Sequence, residues 1–486
     1  MKKIYTTILS IAILIGGFTS CSSDFLDPES TNVISNEEIV EGDPIKTANS
    51  FLNGAYKQLF DNYWRVAHDD FSLKAIHLAT DMMCEDMTVY NGGYFFSYDY
   101  QNDNRALNYR RPTSTWRQLY YIIYSANNTL RILQDIEQTD EAIKCKAEAL
   151  GLRGYAYFVL INMYQQPYSV NKEAPGVPIY DIDDNRAGRN TVAEVYDIIL
   201  SDLLESYDIL EGKGMSSPTA LSEYSVAGML ARVLCFINDY PSQWTEVARY
   251  AEIASKGSPL MTTATQFSSG FDSYTLNETL WASEIDAETN TYYGSFFSQI
   301  DPYNAGYAGL LGYPMCIASW LYDKINPQDM RYTWFSDGSE TYNLPKYASI
   351  KYTEKGRNDF TADYIYMRSS EFYYVRAEAL YLSGDTPGAR NALETVMSTR
   401  LAGYSAADKS GAALLEEIRI QKRIECWAEG VRLFDMKWRG EAMDRAGSTN
   451  HELAYISKLG PNPKEWIYMI PEVEMDANDE ITENNP

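Results

Sequence analysis

The sequence has 486 residues, of which 45% are hydrophobic and 14% aromatic, so it can bury a large core and is neither disordered nor fibrous in type. Asp and Glu number 67 against 41 Lys and Arg, and a net charge of -26 argues against a nucleic-acid groove or an anionic lipid surface as partner. Tyrosine is frequent, with 40 residues against 17 Phe. Because Tyr joins an apolar ring to a polar tip, this bias favours wet binding surfaces over dry cores.

The N-terminus is typical of a bacterial secretion signal. Two lysines precede an apolar stretch over residues 4–18, and small residues then lead into Cys21. The stretch is too short for a membrane-spanning helix, because polar residues follow it at once. Small residues before a cysteine resemble the lipobox of bacterial lipoproteins, although Phe18 stands where Leu is more usual. We therefore predict that residues 1–20 are removed and that Cys21 carries the lipid; a retained N-terminal anchor is the alternative.

The body of the chain is predicted to be helical. Apolar residues recur at spacings of three and four, mostly in adjacent pairs of stretches, as in amphipathic helices. Ala377, Gly384 and Ala389 fall at the intervals where tetratricopeptide units need close helix approach, which favours helix pairs stacked as a short solenoid. Ordinary Ala-rich helix packing is the alternative. The predicted helices span residues 116–137, 141–164, 191–210, 220–237, 244–256, 370–382, 386–400 and 412–429.

Two long stretches, residues 88–113 and 257–363, lack helical period and are rich in Tyr, Gly, Asn, Ser and Asp. Loops of this length in a compact protein are usually functional. A third irregular segment, residues 440–463, precedes a strand-like apolar run over residues 466–470. The predicted fold is therefore predominantly all-α, with long irregular aromatic-rich loops and minor β structure.

The C-terminal sequence resembles a known family. Residues 421–440, QKRIECWAEGVRLFDMKWRG, are similar to the signature RR-x-EL-x-x-EG-x-R-x-x-DL-x-RW of the SusD/RagB outer-membrane lipoproteins, with Cys426 where Leu is usual. The matching positions are Arg423, Glu425, Glu429, Gly430, Arg432, Asp435 and Trp438. The last residues, MIPEVEMDANDEITENNP, are similar to the family's closing P-x-x-E-x-x-x-N-P-x-L-x-Q-N-P, with matches at Pro471, Glu474, Asn478, Asn485 and Pro486.

Further matches are CSSDFLDPES at Cys21, KAEALGLRGYAYFVL and RAEALYLSGD, so the resemblance covers nearly the whole mature chain. It implies tetratricopeptide-like units on the outer face of a Bacteroidota outer membrane, where the protein caps a SusC-like TonB-dependent transporter and captures a nutrient, usually a glycan and in one branch a peptide. No catalytic residue and no cofactor are implied. The expected organisation is a signal peptide over residues 1–20 and one domain over residues 21–486, with helix pairs mainly within 116–256 and 370–430 and the loop-rich ligand and partner region mainly within 88–113 and 257–363.

The charges of the signature have a structural interpretation. Glu425 and Glu429 share a helix face with Arg432, and Arg423 lies one turn before, so pairs three and four residues apart are available. We predict an ion-pair network that holds the C-terminal helix, rather than an active site.

Enzyme chemistry finds little support in the sequence. The only histidines are His68, His77 and His451, without zinc-ligand spacing, and the five cysteines after Cys21 are widely spaced and favour buried free thiols. The segment Asp181-x-Asp183-x-Asn185 begins like a calcium loop, but Arg186 occupies the position that needs Gly. No metal site is predicted.

A glycan-binding surface suits the loop residues better. Sugar rings present flat C–H faces edged with hydroxyls, which aromatic faces and polar side chains can match. The aromatics at positions 94, 96, 98 and 100 could equally form one face of a buried strand, and Trp320 and Trp334 could be core residues. Peptide capture on the same scaffold is the alternative function, and a glycan-processing enzyme is a weaker one. The predicted ligand-binding residues are Asp81, Tyr90, Tyr94, Tyr98, Asp99, Trp281, Tyr293, Trp320 and Trp334.

Overall fold

A computed structural model describes residues 43–61, 67–134, 136–181, 187–339, 344–356, 358–452 and 455–486. The predicted signal sequence, Cys21, and the Asp183 and Asn185 positions of the calcium-like segment lie outside these ranges. The fold is predominantly helical with a few short strands, and the predicted fold class is confirmed.

Within the described ranges, the secondary structure runs from a group of mostly long helices through short elements to a second helical group. The first helices are α1 (Pro44–Lys57), α2 (Leu73–Met82), α3 (Ser97–Tyr100), α4 (Arg110–Gln134), α5 (Asp140–Tyr164), α6 (Val192–Leu210), α7 (Glu223–Leu234) and α8 (Gln243–Ser255). They are followed by α9 (Ala264–Phe267), α10 (Phe296–Ile300), α11 (Ser319–Tyr322), α12 (Ser369–Leu382), α13 (Thr386–Met397), α14 (Gly411–Glu425), α15 (Arg432–Arg439) and α16 (Glu472–Ala477). The strands are β1 (Met87–Val89), β2 (Thr279–Ser283), β3 (Met315–Ile317), β4 (Tyr364–Arg368), β5 (Met443–Asp444) and β6 (Lys458–Leu459).

The long helices pack in one continuous row. Helix α1 packs on α4, and α4, α5, α6, α7 and α8 then pack each on the next. Helix α8 packs on α12, which also contacts α13 and α14. Residues 256–368 separate α8 from α12 in sequence, but the two helices are neighbours in the row. The loop-rich region between them is therefore attached to the helical scaffold at both ends.

Local sequence fixes where these helices begin and how closely they approach. Thr191 and Glu194 form a reciprocal capping box at the start of α6. In α7, a Cβ on Gly228 would lie 2.5 Å from the Phe372 ring of α12, so only glycine permits this contact. Gly384 was predicted to serve close helix approach, and that prediction is wrong. It lies in the turn between α12 and α13 with a φ of +94° and open space around it, so its role is the left-handed backbone.

Two antiparallel strand pairs organise the loop-rich segments. One pair joins the first predicted loop to the second, and the other lies at the start of α12. Strand β1 pairs with β3, so that Val89 lies opposite Met315 and Met87 opposite Ile317. Strand β2 pairs with β4, which runs directly into α12. The first pair brings the two predicted loops side by side.

The C-terminal segment returns to the end of α5. The Asn485 side-chain amide donates hydrogen bonds to the carbonyls of Tyr164, at 2.5 Å, and Tyr468, at 2.8 Å. The Tyr468 N–H donates to the carbonyl of Met163 at 2.8 Å. The strand predicted over residues 466–470 is not formed, because a single 3-10 turn at Lys464–Trp466 leads into irregular chain that bonds to a helix end instead of a sheet.

The signature charges form a buried ion-pair network, as predicted, but with partners far along the chain. Helix α14 ends at Glu425, four residues earlier than predicted, and the Glu425 carboxylate bonds the guanidinium groups of Arg368, at 3.0 Å, and Arg400, at 2.8 Å. Glu429 pairs with Lys351 at 2.6 Å. The network therefore joins the C-terminal helix to the loop-rich region, and it does not act within one helix as the sequence indicated.

Candidate ligand-binding site

The pairing of β1 with β3 builds the site. Because the strands are antiparallel, the chain leaving Val89 meets the chain entering Met315, so Tyr90 and Asn91 lie beside the residues that precede β3. The Asn91 side-chain amide donates a hydrogen bond to the carbonyl of Gly312 at 2.9 Å. The two long loops thus meet at one edge of the molecule.

A glycine turn then reverses the chain into a short helical segment. Gly93 has a φ of +76°, and a Cβ there would lie 2.4 Å from a methyl group of Val89. The following residues form a 3-10 turn at Tyr94–Phe96 and then α3, so the buried strand considered for this segment is not formed. Helical spacing divides the aromatics between core and surface: Phe96 and Tyr100 are fully buried, whereas Tyr94 and Tyr98 are 47% and 54% exposed.

Six rings from four parts of the chain form an aromatic cluster at this edge. The Tyr94 ring lies 5.1 Å from the rings of Tyr307 and Tyr313. The His68 ring lies 5.7 Å from Tyr307 and 6.0 Å from Tyr293. The members of the aromatic cluster are His68, Tyr94, Phe95, Tyr293, Tyr307 and Tyr313.

Buried ion pairs support the cluster from below. The Arg111 guanidinium bonds the carboxylates of Asp69 and Asp99, each at 3.1 Å, and lies 4.9 Å from the Phe96 ring centre. Burial raises the pKa of Asp99, and the neighbouring Arg111 opposes that shift. Arg110 pairs with Asp69 at 2.5 Å and approaches the Phe95 ring. Residues 94–100 are therefore held in a fixed orientation.

Two open clefts adjoin the aromatic cluster. One, of about 360 Å³, includes His68 itself and is otherwise lined mostly by polar side chains, among them Asp61, Asn290 and Thr291. The other, of about 500 Å³, lies beside Tyr90 and is lined by residues that include Tyr303 and the exposed Leu310. Rings flanked by hydrogen-bonding groups make a surface suited to an extended ligand with apolar faces and hydroxyl edges.

The four predicted tyrosines lie on the surface at or near this site. Tyr94 and Tyr293 belong to the aromatic cluster, Tyr90 lines the larger cleft, and Tyr98 points outward from α3 near Tyr109. Each is at least 43% exposed.

The two predicted tryptophans at positions 281 and 334 are core residues, which corrects their assignment to ligand. Trp281 is fully buried in β2, with its ring 5.3 Å from Tyr155 and 5.0 Å from Tyr366. Trp334 is 1% exposed, and its indole N–H donates to the carbonyl of Phe267 at 2.8 Å. Neither side chain can reach a ligand without unfolding its surroundings.

The two predicted aspartates are also buried, and each carboxylate is held by hydrogen bonds or an ion pair within the protein. The Asp81 carboxylate accepts hydrogen bonds from the backbone N–H groups of Gly430, at 3.0 Å, and Arg432, at 3.3 Å. Burial raises the pKa of Asp81 to about 7. Asp99 is occupied by Arg111 and by the Asn104 side-chain amide, which donates to it at 2.9 Å. Both residues support the site or the core and do not face a ligand.

Trp320, the third predicted tryptophan, lies away from the aromatic cluster. It is half-buried in α11, and its ring centre is 4.5 Å from the guanidinium carbon of Arg423. It lines a third cleft that shares no lining residue with the two clefts beside the aromatic cluster.

The sequence did not single out His68, Tyr307 or Tyr313 as ligand-binding residues. Tyr307 and Tyr313 follow one another in a glycine-rich stretch, which was the available signal. His68 carried no local signal, because its neighbours in the cluster are distant in sequence: Phe95 lies 27 positions away and Tyr307 239 positions away.

The described residues contain no group of three or more His, Cys, Asp or Glu placed to hold a metal ion. Within the same ranges no helix is both long and apolar enough to cross a bilayer. The five cysteines there are free thiols, and all but Cys235 are buried.

Comparisons with known proteins agree with this architecture. A family model described as "Starch-binding associating with outer membrane" matches residues 25–234, and the SusD family model matches residues 329–486. The chain belongs to the SusD/RagB family. A comparison with curated protein sequences found no match.

Solved structures from Bacteroides share the fold over most of their length. A SusD-like carbohydrate binding protein from Bacteroides vulgatus has a TM-score of 0.79 at 21% identity, covering 90% of this chain and 97% of that one. A putative sugar binding protein from the same species has a TM-score of 0.76 at 25% identity, covering 91% and 98%. Surface glycan-binding protein A from Bacteroides fluxus has a TM-score of 0.71 at 17% identity, covering 91% and 99%.

Proposed function

We propose that this protein is a non-catalytic surface lipoprotein that binds an oligosaccharide and delivers it to a SusC-type TonB-dependent transporter in the outer membrane. The observation that carries the proposal is the aromatic cluster, which exposes Tyr94 and Tyr293 beside two open clefts. Membership of the SusD/RagB family and the names of the structural relatives, a carbohydrate binding protein and a glycan-binding protein, support the choice of glycan.

The chemistry of the cluster fits saccharide recognition. Tyr rings offer flat apolar faces to the C–H side of a pyranose, and their hydroxyls remain available at the edge. Asn290 and Thr291 line the cleft at His68, and the exposed Asn91 and Asn358 line the cleft at Tyr90, so amide and hydroxyl groups lie within reach of sugar hydroxyls. An extended oligosaccharide would contact several rings in succession.

The carboxylates directly below the cluster are engaged in ion pairs and do not face a ligand. The carboxylates below the cluster, Asp69 and Asp99, are buried in pairs with Arg110 and Arg111. A glycosidase needs two carboxyl groups facing the scissile bond, and these two face arginines. Catalysis is therefore not part of the proposal.

A glycan array probed with purified protein, followed by calorimetry on the best oligosaccharide, tests this function. We expect binding to at least one glycan and no change in that glycan after prolonged incubation, as judged by chromatography. Enrichment of peptides from a peptide mixture without any glycan signal would instead favour peptide capture on the same scaffold. Release of shorter sugars would contradict the non-catalytic role.

The anchor and the transporter belong to the same proposal. Cys21 would carry the lipid, and removal of residues 1–20 would leave it as the first residue of the mature chain. A transporter contact should bury a large surface with aromatic anchors and a polar rim. Co-purification with a TonB-dependent transporter from outer membranes in mild detergent is the test, and recovery of free lipoprotein alone under several detergents would contradict it.

A further inference from the structure

The third cleft, which we name the Trp320 groove, is larger than either cleft beside the aromatic cluster. It measures about 640 Å³ and lies among α11, α14 and the chain around β5. Its open shape admits a chain-like ligand from solvent, and its position is separate from the proposed glycan site.

Trp320 presents a fixed aromatic ring to this groove. The guanidinium of Arg423 lies 4.5 Å from the ring centre, and Arg423 is itself held by Glu85 at 2.5 Å and, through its Nε, by Asp86 at 2.8 Å. An arginine clamped by two carboxylates cannot move away from the ring without breaking buried ion pairs. The indole is therefore oriented before any ligand arrives, which lowers the entropy cost of binding.

The groove pairs this ring with charged groups of both signs. Arg419 and Glu441 are partly exposed, with side-chain exposures of 26% and 24%, and Arg432 bonds Glu441 at 2.7 Å. Cationic and carboxylate side chains line the groove in equal number, in a chain whose net charge is -26. Balanced charges disfavour a simple anion or cation as ligand and favour a neutral molecule rich in hydroxyl groups.

Three buried polar atoms of the lining residues lack a hydrogen-bond partner within the described ranges. They are the indole nitrogen of Trp320, Nε of Arg432 and one carboxylate oxygen, Oε2, of Glu85, a residue that is only 5% exposed. A buried donor or acceptor without a partner costs free energy and calls for an explanation. Their residues line the groove, so the unsatisfied atoms lie next to the surface that a ligand would cover.

We propose that the Trp320 groove is a second saccharide-contacting site, which takes a neutral polysaccharide chain. The inference rests on the proposed glycan-binding function and extends it to a second surface. A long chain that reaches both surfaces gains from effective concentration, whereas a short oligosaccharide occupies one surface at a time. The groove therefore adds more to the binding of polymer than to the binding of fragments.

Biosensor binding of the purified full chain to immobilised starch, xylan, mannan and β-glucan tests this inference. The variants are Trp320→Ala, Tyr94→Ala, and Trp438→Ala as a matched control. Trp438 is also half-buried and lies 4.7 Å from an arginine guanidinium, that of Arg439, but it is not part of the groove. We expect Trp320→Ala to weaken polysaccharide binding about tenfold, more than it weakens binding of the matching tetrasaccharide, and Trp438→Ala to bind like the parent.

Equal losses in Trp320→Ala and Trp438→Ala, or no loss in Trp320→Ala, would overturn the second site. If Tyr94→Ala loses binding while Trp320→Ala does not, the proposed glycan function is supported and only the second site at the Trp320 groove is rejected. A parent chain that binds none of the four polysaccharides overturns both. Should Trp320→Ala not fold, fluorine NMR of the 5-fluorotryptophan-labelled parent decides: the Trp320 resonance, assigned with Trp320→Phe, must shift when polysaccharide is added, and an unmoved signal rejects the groove.

Discussion

The hydroxyl of Tyr307 lies 2.7 Å from Nδ1 of His68, which joins two residues 239 positions apart at the centre of the aromatic cluster. A hydrogen bond of this length holds the two rings close together, with their centres 5.7 Å apart. Burial raises the pKa of Tyr307, so its hydroxyl keeps its proton over a wider pH range. The cluster is thus a preformed surface and not a set of independent side chains.

Loss of Tyr94 from this surface should weaken glycan binding. An aromatic contact contributes roughly 0.5 to 1.5 kcal/mol beyond area burial, so Tyr94→Ala should raise the dissociation constant by up to about tenfold in calorimetry. Tyr121→Ala is the matched control, because Tyr121 on α4 is 46% exposed against 47% for Tyr94 and lies outside the cluster. Equal affinities for the two variants would place the site elsewhere.

Trp281 should matter for stability and not for ligand. Its side chain is fully buried between Tyr155 and Tyr366, and truncating such a residue to alanine costs about 3 to 5 kcal/mol of the free energy of unfolding. Denaturant unfolding of Trp281→Ala should show this loss. Tyr98→Ala, which removes an exposed ring, should change the same quantity by less than about 0.5 kcal/mol. A stable Trp281→Ala variant that fails to bind glycan would restore the ligand role predicted from sequence.

Asp81 should make stability depend on pH. Burial raises its pKa to about 7, so between about pH 4 and pH 7 the folded chain holds a proton that the unfolded chain has released. Protons bound more tightly in the folded state stabilise it at low pH, and this contribution is lost as pH rises through that window, at up to about 1.4 kcal/mol per pH unit.

Replacement of Asp81 with Asn should remove this contribution. Thermal or denaturant unfolding at several pH values should therefore show a smaller fall in stability from pH 4.5 to pH 7 for Asp81→Asn than for the parent. Asp208→Asn on the exposed face of α6 is the control and should keep the parental slope. An unchanged slope in Asp81→Asn would contradict the assignment.

The proposed lipid anchor makes a separate prediction. Cys21→Ala should leave a soluble periplasmic or secreted protein, since several acyl chains are needed for stable membrane attachment and the variant would have none. Detergent-phase partitioning of the two proteins measures this. Equal partitioning of parent and variant into detergent would show that Cys21 is not the anchor, and a Cys145→Ala variant controls for loss of a thiol.

The helical row was predictable because amphipathic period is a local property. Helix α6 was predicted at residues 191–210 and spans Val192–Leu210. Helix α2 was not predicted, although Lys74, His77 and Asp81 recur at helical spacing; the helix is only ten residues long, and its polar residues are buried with the rest. The end of α14 was misplaced because Ala428 has a φ of +62°, which interrupts the helix inside the predicted span, and Gly430 then lies against His77 of a distant helix.

The binding site was predictable only in part. Loop composition correctly placed tyrosines at positions 94 and 293 on the surface, but the same composition placed Trp281 there too. Whether a loop aromatic is exposed depends on what packs over it, and in this fold that is decided by strand pairs such as β2 with β4. His68 joins the cluster through contacts that no local pattern encodes.

The bond between the Asn485 amide and the Tyr164 carbonyl spans 321 positions. Synthesis runs from the N-terminus, so the C-terminal end of α5 waits for most of the chain to be made before it meets this partner. Contacts of such separation slow folding, because the entropy of closing a long loop must be overcome before the contact stabilises anything. During that interval the end of α5 lacks this partner and is open to aggregation, so cells that make this protein should rely on chaperones to shield it until residues 464–486 are in place.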